Sequence, residues 1–194
     1  SATMVITAKA AQLKREGKKV IGLSSGEPDF DTPKLVKDAA IDAINKGYTK
    51  YTNIEGIPEL RQCIVEKFKK DNDLNFTIND IIVGTGGKQI LYNALVSSLN
   101  EIDEVIIPAP YWVSYPDMTL LAGGKPIIVN CSSKTDFKLT AEALEKVVTK
   151  NSKWLILNSP SNPTGSCYSK EELENIASVV RKYENLHVMT DDIY

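Results

Sequence analysis

The sequence predicts an α/β fold of three layers (αβα), in which helices cover both faces of a mostly parallel β-sheet. Short apolar segments alternate along the chain with longer segments of helical periodicity, which is typical of a parallel sheet with crossover helices. The segment Lys153–Leu157 (KWLIL) lacks polar alternation, as expected for a strand that is buried on both faces. The 194 residues are 42% hydrophobic, which is enough for a sizeable core.

Each helix is predicted from its start and stop signals together with an apolar face. Thr32 is predicted to cap a helix that begins at Pro33, and Pro58 is predicted to begin another, because proline is favoured in the first turn of a helix. Thr140 is a typical N-cap, and Ser169 with Glu172 has the spacing of a capping box. Glycines mark several of the helix ends. The predicted helices are 4–16, 33–46, 58–70, 88–99, 113–121, 141–148 and 170–183.

Five short apolar segments are the predicted strands: 80–83, 104–107, 126–129, 153–157 and 186–190. Parallel α/β sheets bind ligands beyond the carboxyl ends of their strands. The functional residues are therefore expected just after the strands, in the segments 84–88, 108–112, 158–165 and 191–194.

Composition and charge exclude several classes of function. Lys and Arg number 23 against 25 Asp and Glu, so the basic excess of a nucleic-acid-binding protein is missing. No apolar run approaches the ~18 residues of a membrane span, and we expect no secretory leader. Cys63, Cys131 and Cys167 lie far apart, which predicts reduced thiols in a cytoplasmic protein and no metal site. The single histidine, His187, excludes most His-dependent catalytic sites, so a cofactor is the natural carrier of the chemistry.

The segments after the strands contain four groups that suit one ligand. Residues 84–88 (GTGGK) lead into a helix whose free N–H groups and dipole favour a phosphate. Trp112 is placed to stack on a flat ring, and Asn162 is a hydrogen-bond donor in a loop stiffened by two prolines. Asp191 follows an apolar strand, where a half-buried carboxylate needs a cationic partner such as a protonated ring nitrogen.

Together these groups describe a site for a phosphorylated, flat, cationic heteroaromatic ligand. Pyridoxal phosphate fits this description, and nucleotides fit it less well. Each feature also has a structural explanation, namely a tight turn, a core tryptophan or an ordinary Asn-Pro loop. Taken one at a time, the residues leave that choice open.

Several motifs then point to a known family. In order along the chain they are SGEPDFDTP (25–33), KYT (50–52), GIPELR (56–61), GGKQ (86–89), PYWVSYP (110–116), SNPTG (161–165) and DDIY (191–194). In these runs the chain resembles the class I aminotransferases of fold type I, which use pyridoxal 5′-phosphate. It is most similar to the bacterial aspartate aminotransferases of the more divergent subgroup.

The resemblance implies a role for each matching residue. Gly86, Gly87 and Lys88 correspond to the loop whose amides bind the cofactor phosphate. Trp112 corresponds to the residue stacked on the pyridine ring, where it also borders the substrate. Asp191 corresponds to the carboxylate on the pyridine nitrogen, which keeps the ring protonated.

Further roles follow from the same resemblance. Asn162 and Tyr194 correspond to the pair that hydrogen-bonds the phenolic oxygen of the ring, and Asn162 also borders the substrate. Asp191 and Tyr194 are the catalytic residues expected in this chain. Gly26 corresponds to a backbone contact with the substrate carboxylate. Tyr51 corresponds to a tyrosine that reaches the phosphate of the neighbouring subunit, which implies a homodimer.

The resemblance also implies how the chain is organised. Residues 1–32 are expected to be the N-terminal segment of a small domain, and residues 33–194 the first part of the cofactor-binding large domain, which is incomplete. The Schiff-base lysine of the family is expected beyond Tyr194, so we expect these residues alone neither to hold the cofactor as an imine nor to transaminate. Cis peptide bonds are expected at Ala109-Pro110 and Asn162-Pro163.

The function that the resemblance implies is transamination in amino-acid biosynthesis, with aspartate and 2-oxoglutarate as substrates. Prephenate, aromatic and alanine-type substrates stay open. Two other classes also stay open: a fold-type I lyase or synthase acting at Cβ or Cγ, and a non-catalytic sensing module of a regulator. No nucleic acid, membrane or metal is expected as a partner.

Overall fold

The computed structural model of the protein describes residues 2–23, 26 and 28–194. Its chain forms two compact units, one ending at Thr52 and the other spanning Asn53–Tyr194. The first unit contains α1 (Ala2–Arg15) and α2 (Lys34–Asn45). The N-cap of α2 is Pro33 and no side chain caps this helix, so the prediction that Thr32 caps it was wrong. The predicted domain boundary at 32/33 stays a prediction.

The second unit alternates helices and strands, as predicted. Its α-helices are α3 (Pro58–Asn72), α4 (Gly87–Ser98), α5 (Ser114–Leu121), α6 (Ala141–Glu145) and α7 (Lys170–Val180). Its strands are β1 (Glu104–Ala109), β2 (Lys125–Asn130), β3 (Ser152–Asn158) and β4 (His187–Asp191). All neighbouring strands are parallel, in the order β2-β1-β3-β4. The predicted parallel α/β fold is confirmed.

Apolar side chains pack on both faces of this sheet, which gives the three predicted layers. On one face, Val105 and Ile107 of β1 pack with residues of α4 and α5. On the other face, Ile106 of the same strand packs with α6 and α7. These three β1 side chains are 0% exposed, since successive residues of a strand point to opposite faces.

The strand predicted at 80–83 is not present as a strand, so this prediction was wrong. Residues 78–80 form a 3₁₀ turn, and Ile81 is extended but pairs with no described strand. Its backbone carbonyl instead accepts a hydrogen bond from Arg61 Nε at 3.0 Å. The Val83 N–H donates to the Glu55 carbonyl at 2.9 Å. The apolar segment is therefore extended, but its backbone groups bond to the Arg61 side chain and to the Glu55 carbonyl instead of to a neighbouring strand.

Within the described residues, no helix combines the length and the apolar character needed to cross a bilayer.

Candidate functional site

The candidate site lies where the strand order reverses. β2 lies on one side of β1, and β3, the next strand in the chain, lies on its other side. In open α/β sheets a crevice forms at this switch point, beyond the carboxyl ends of the strands. A small cavity of about 30 Å³ is found there, and Tyr115, Asn158 and Asn162 contribute to its wall.

The N-terminus of α4 has the properties of an anion-binding loop. Gly86 is the N-cap with φ of +85°, a conformation that side-chain-bearing residues rarely adopt. A Cβ built at Gly86 or Gly87 meets no atom within 4 Å, so the space beside this turn is open. The Gly87 and Lys88 N–H groups donate to no other described residue. Free N–H groups at a helix start are a favourable site for a phosphate.

Lys88 connects this loop to the predicted stacking residue. Its Nζ lies 4.9 Å from the centroid of the Trp112 ring, a cation–π contact. The Trp112 ring also packs edge-on against Tyr115, at 5.4 Å between centroids and 78° between planes. The structure therefore brings the phosphate loop and Trp112 together, although they follow different segments of the chain.

Asp191 has a partner that the sequence did not reveal. The Tyr115 hydroxyl donates to Asp191 Oδ2 at 2.7 Å, and Tyr115 is only 2% exposed. Burial, and then this hydrogen bond, raise the pKa of Tyr115 far above its usual value, so the phenol stays a donor. Oδ1 of Asp191 accepts from no described residue, which leaves one carboxylate oxygen for a ligand N–H.

Asn158 joins Asp191 to the loop of Asn162. It is the last residue of β3 and is paired in register with Asp191 of β4. Its Nδ2 donates to the Asp191 carbonyl and its Oδ1 accepts from the Asn162 N–H, both at 2.6 Å. The side-chain amide of Asn162 bonds to no described residue. It therefore remains available to a ligand.

Sequence reasoning missed both Tyr115 and Asn158 as site residues. A signal existed for Tyr115, because it follows Trp112 by three residues at the start of a predicted helix and so shares a face with it. Asn158 was recognised only as part of a loop. The predicted cis bonds at Ala109-Pro110 and Asn162-Pro163 are confirmed, and a third occurs at Ser159-Pro160.

Three predicted residues are not joined to this cluster by a described contact. Tyr194 is 69% exposed, and its role stays a prediction. Gly26 and Tyr51 belong to the first compact unit, and their roles stay predictions. Two residues of the first motif, Ser25 and Glu27, lie outside the described residues.

Comparison with known proteins gives one consistent result. The family described as "Aminotransferase class I and II" matches residues 18–194. A probable aspartate/prephenate aminotransferase of Rickettsia bellii is 57% identical over the whole chain, which covers 49% of that protein. The aspartate/prephenate aminotransferase of Cereibacter sphaeroides is 56% identical, again over the whole chain and 48% of its own length.

A solved structure agrees with these relatives. The aspartate aminotransferase of Thermus thermophilus with maleate has a TM-score of 0.95 and 44% identity, covering 100% of this chain and 50% of its own. The chain thus spans about half the length of the curated relatives it matches. The match to the family extends over most of the sequence and includes all the segments that form the cluster. The chain belongs to the class I and II aminotransferase family.

Proposed function

We propose that this chain serves a pyridoxal 5′-phosphate-dependent transamination between aspartate and 2-oxoglutarate. One observation carries the proposal: a continuous set of contacts runs from Lys88 through Trp112 and Tyr115 to Asp191. It joins an anion-binding helix start, a flat aromatic ring and a half-free carboxylate. These are the three parts that a phosphorylated pyridinium needs.

The residues present fit this cofactor. The N–H groups of Gly87 and Lys88 would hold its phosphate, Trp112 would stack on its ring, and Oδ1 of Asp191 would accept the ring N–H. The free amide of Asn162, with Tyr194, would bind the phenolic oxygen. When bound, the cofactor withdraws electrons from the substrate α-carbon. The chain's part is to orient the ring and to keep its nitrogen protonated.

The substrate proposal rests on the relatives and on the first motif. The two relatives are named for aspartate and prephenate, and the Thermus enzyme was solved with maleate, a dicarboxylate. We infer a dicarboxylic amino acid as the amino donor, with prephenate as a second substrate. The backbone at Gly26 would contact the substrate carboxylate.

We propose that the active protein is a cytoplasmic homodimer. Tyr51 is fully exposed in the chain, which suits a side chain that reaches the neighbouring subunit. We also propose that residues 1–32 belong to a small domain and residues 33–194 to the cofactor-binding domain.

The test uses a chimeric protein in which these 194 residues are followed by the C-terminal half of the Cereibacter sphaeroides relative. With pyridoxal phosphate, aspartate and 2-oxoglutarate, we expect oxaloacetate and glutamate in equal amounts. The 194 residues alone are expected to give no turnover. Product release from aspartate without any 2-oxo acid would instead favour a lyase. Cofactor binding without either reaction would favour a sensing module.

A further inference from the structure

Asn158 holds two separate segments of the candidate site with one side chain. Its amide nitrogen donates to the carbonyl of Asp191, and its amide oxygen accepts from the N–H of Asn162, each at 2.6 Å. Both partners are backbone groups, so the contacts constrain the path of the chain. Asp191 is the last residue of β4, and Asn162 lies in the loop after β3. One side chain therefore joins the end of β4 to the loop after β3.

Apart from the backbone pairing of β3 with β4, no other described hydrogen bond joins these two segments. The loop after β3 is closed on itself, because Ser161 N–H donates to the Ser166 carbonyl and Gly165 N–H to the Ser161 carbonyl. Residues 192–194 make no hydrogen bond to a described residue. In the part of the chain that the structure describes, Asn158 is the one side chain bonded to both segments.

We propose that Asn158 is a positioning residue, which sets the Asp191 carboxylate and the Asn162 amide at the spacing that one bound ring requires. The inference rests on the proposed pyridoxal phosphate site. The chemistry explains why an amide stands here, since one group must donate and accept at the same time. A carboxylate can only accept, and a lysine can only donate.

The experiment compares two probes in the chimeric protein. 4-Deoxypyridoxine 5′-phosphate has the ring and the phosphate but no aldehyde, so it binds through non-covalent contacts alone. Inorganic phosphate needs only the N-terminus of α4. Loss of a residue that positions the ring contacts should weaken binding of the first probe alone, whereas general damage to the fold should weaken binding of both probes. Affinities are measured by ring fluorescence and by competition with phosphate.

We expect Asn158→Ala to weaken binding of 4-deoxypyridoxine 5′-phosphate about tenfold and to leave phosphate affinity within about twofold. Asn158→Asp keeps the acceptor for Asn162 N–H but loses the donor to Asp191, so an intermediate loss is expected. The matched control is Asn130→Ala. Asn130 likewise ends a strand, the edge strand β2, is exposed and makes no described side-chain hydrogen bond. It is expected to change neither affinity.

Hydrogen exchange of the segment 158–168 gives a second readout. Protection of the Asn162 N–H should be lost in Asn158→Ala and kept in Asn158→Asp. If Asn158→Ala does not fold, Asn158→Asp alone must show the selective loss. Unchanged affinity for the ring-bearing probe, or an equal fall for both probes, overturns the proposal. A wild-type chimera that binds phosphate but not 4-deoxypyridoxine phosphate overturns the proposed function itself, and the positioning role with it.

Discussion

The two oxygens of Asp191 have different surroundings, and this difference defines what the residue can do. Oδ2 is held by the buried Tyr115 hydroxyl, while Oδ1 has no donor among the described residues. Because burial and the hydrogen bond keep the pKa of Tyr115 high, the phenol remains a donor at any physiological pH. The carboxylate is thus fixed in orientation by a neutral group. Its charge is not cancelled, so it can still stabilise a ligand cation.

The first prediction concerns that charge. In the chimeric protein, Asp191→Asn should lower kcat by roughly 100-fold or more, because a neutral amide cannot keep the ring nitrogen protonated. The ring of bound 4-deoxypyridoxine phosphate should also lose its proton at a lower pH than in wild type, as followed by absorbance. Asp192→Asn is the matched control, since Asp192 is the exposed neighbour with the same chemistry. Near-normal turnover in Asp191→Asn would contradict the assignment.

A second prediction concerns Tyr168, which acts on stability. Its hydroxyl accepts the N–H of Leu139 at 2.8 Å, and Leu139 is 2% exposed. Tyr168→Phe leaves this buried N–H without an acceptor, so it should lower the free energy of unfolding by about 1–3 kcal/mol at pH 7. Tyr183→Phe should change it by less than about 0.5 kcal/mol, because the Tyr183 hydroxyl has no described hydrogen bond.

The same tyrosine predicts a pH dependence. Burial raises the pKa of Tyr168 to about 12, from an ordinary value of 10.0. The folded state therefore favours the neutral phenol, and this contribution is complete below pH 10.0 and lost as the pH rises through about 12. Urea titrations between pH 7 and 11 should show that the difference in the free energy of unfolding between wild type and Tyr168→Phe becomes smaller at the alkaline end. A constant gap would show that the phenol does not titrate in this way.

At the scale of secondary-structure elements, the local sequence signals that predict a helix lie mostly at its ends. α7 begins with a capping box in which Ser169 Oγ accepts the Glu172 N–H and Glu172 accepts the Ser169 N–H. Lys138 adds an ion pair to Glu172 at 2.6 Å, which fastens the start of α7 to the chain before α6. Lys138, followed by the Ser169 N–H, also holds the pKa of Glu172 below its usual value. The start of this helix is therefore fixed from two directions.

A substitution tests this cap. Ser169→Ala should lower the free energy of unfolding by about 1 kcal/mol, because the Glu172 N–H loses its acceptor. Ser178→Ala is the control, since Ser178 lies in the same helix and donates only to the Asn175 carbonyl. Alanine is the better helix former there, so we expect no loss. Equal losses in the two variants, measured by urea unfolding, would show that the cap contributes nothing of its own.

Elements with signals in their own residues were predictable, and elements that depend on distant partners were not. The caps at Thr140 and Ser169 were recognised because donor and acceptor lie three residues apart. The segment 80–83 has the composition of a strand, but a strand also needs a neighbouring strand. Here the Ile81 carbonyl accepts a hydrogen bond from the Arg61 side chain instead. Tyr115 was missed for the same reason, since its partner is 76 residues away. Apolar patterning does not encode such pairings.

At the scale of the molecule, the strand order determines where the candidate functional residues come together. The reversal between β1 and β3 opens a crevice at the carboxyl end of the sheet, and the loops of Trp112 and Asn162 border it. β4 adds Asp191 from the side of β3. Residues from four separate segments thus meet because each follows a parallel strand or begins a helix. The segments expected after strand ends contribute residues to this cluster, although residues 84–88 follow an extended segment that is not a strand. Their functional roles stay predictions.

The last prediction concerns the assembly. If Tyr51 completes the site of the neighbouring subunit, two defective chimeric proteins should complement each other when their subunits are exchanged. A Tyr51→Ala subunit still supplies Asp191, and an Asp191→Ala subunit still supplies Tyr51, so each mixed dimer contains one intact site. With equal amounts and random pairing in a two-fold dimer, about a quarter of wild-type activity should return. Each variant refolded alone is the control. If Tyr51 acts within its own subunit, no mixed dimer has an intact site, and activity stays at the level of the separate variants.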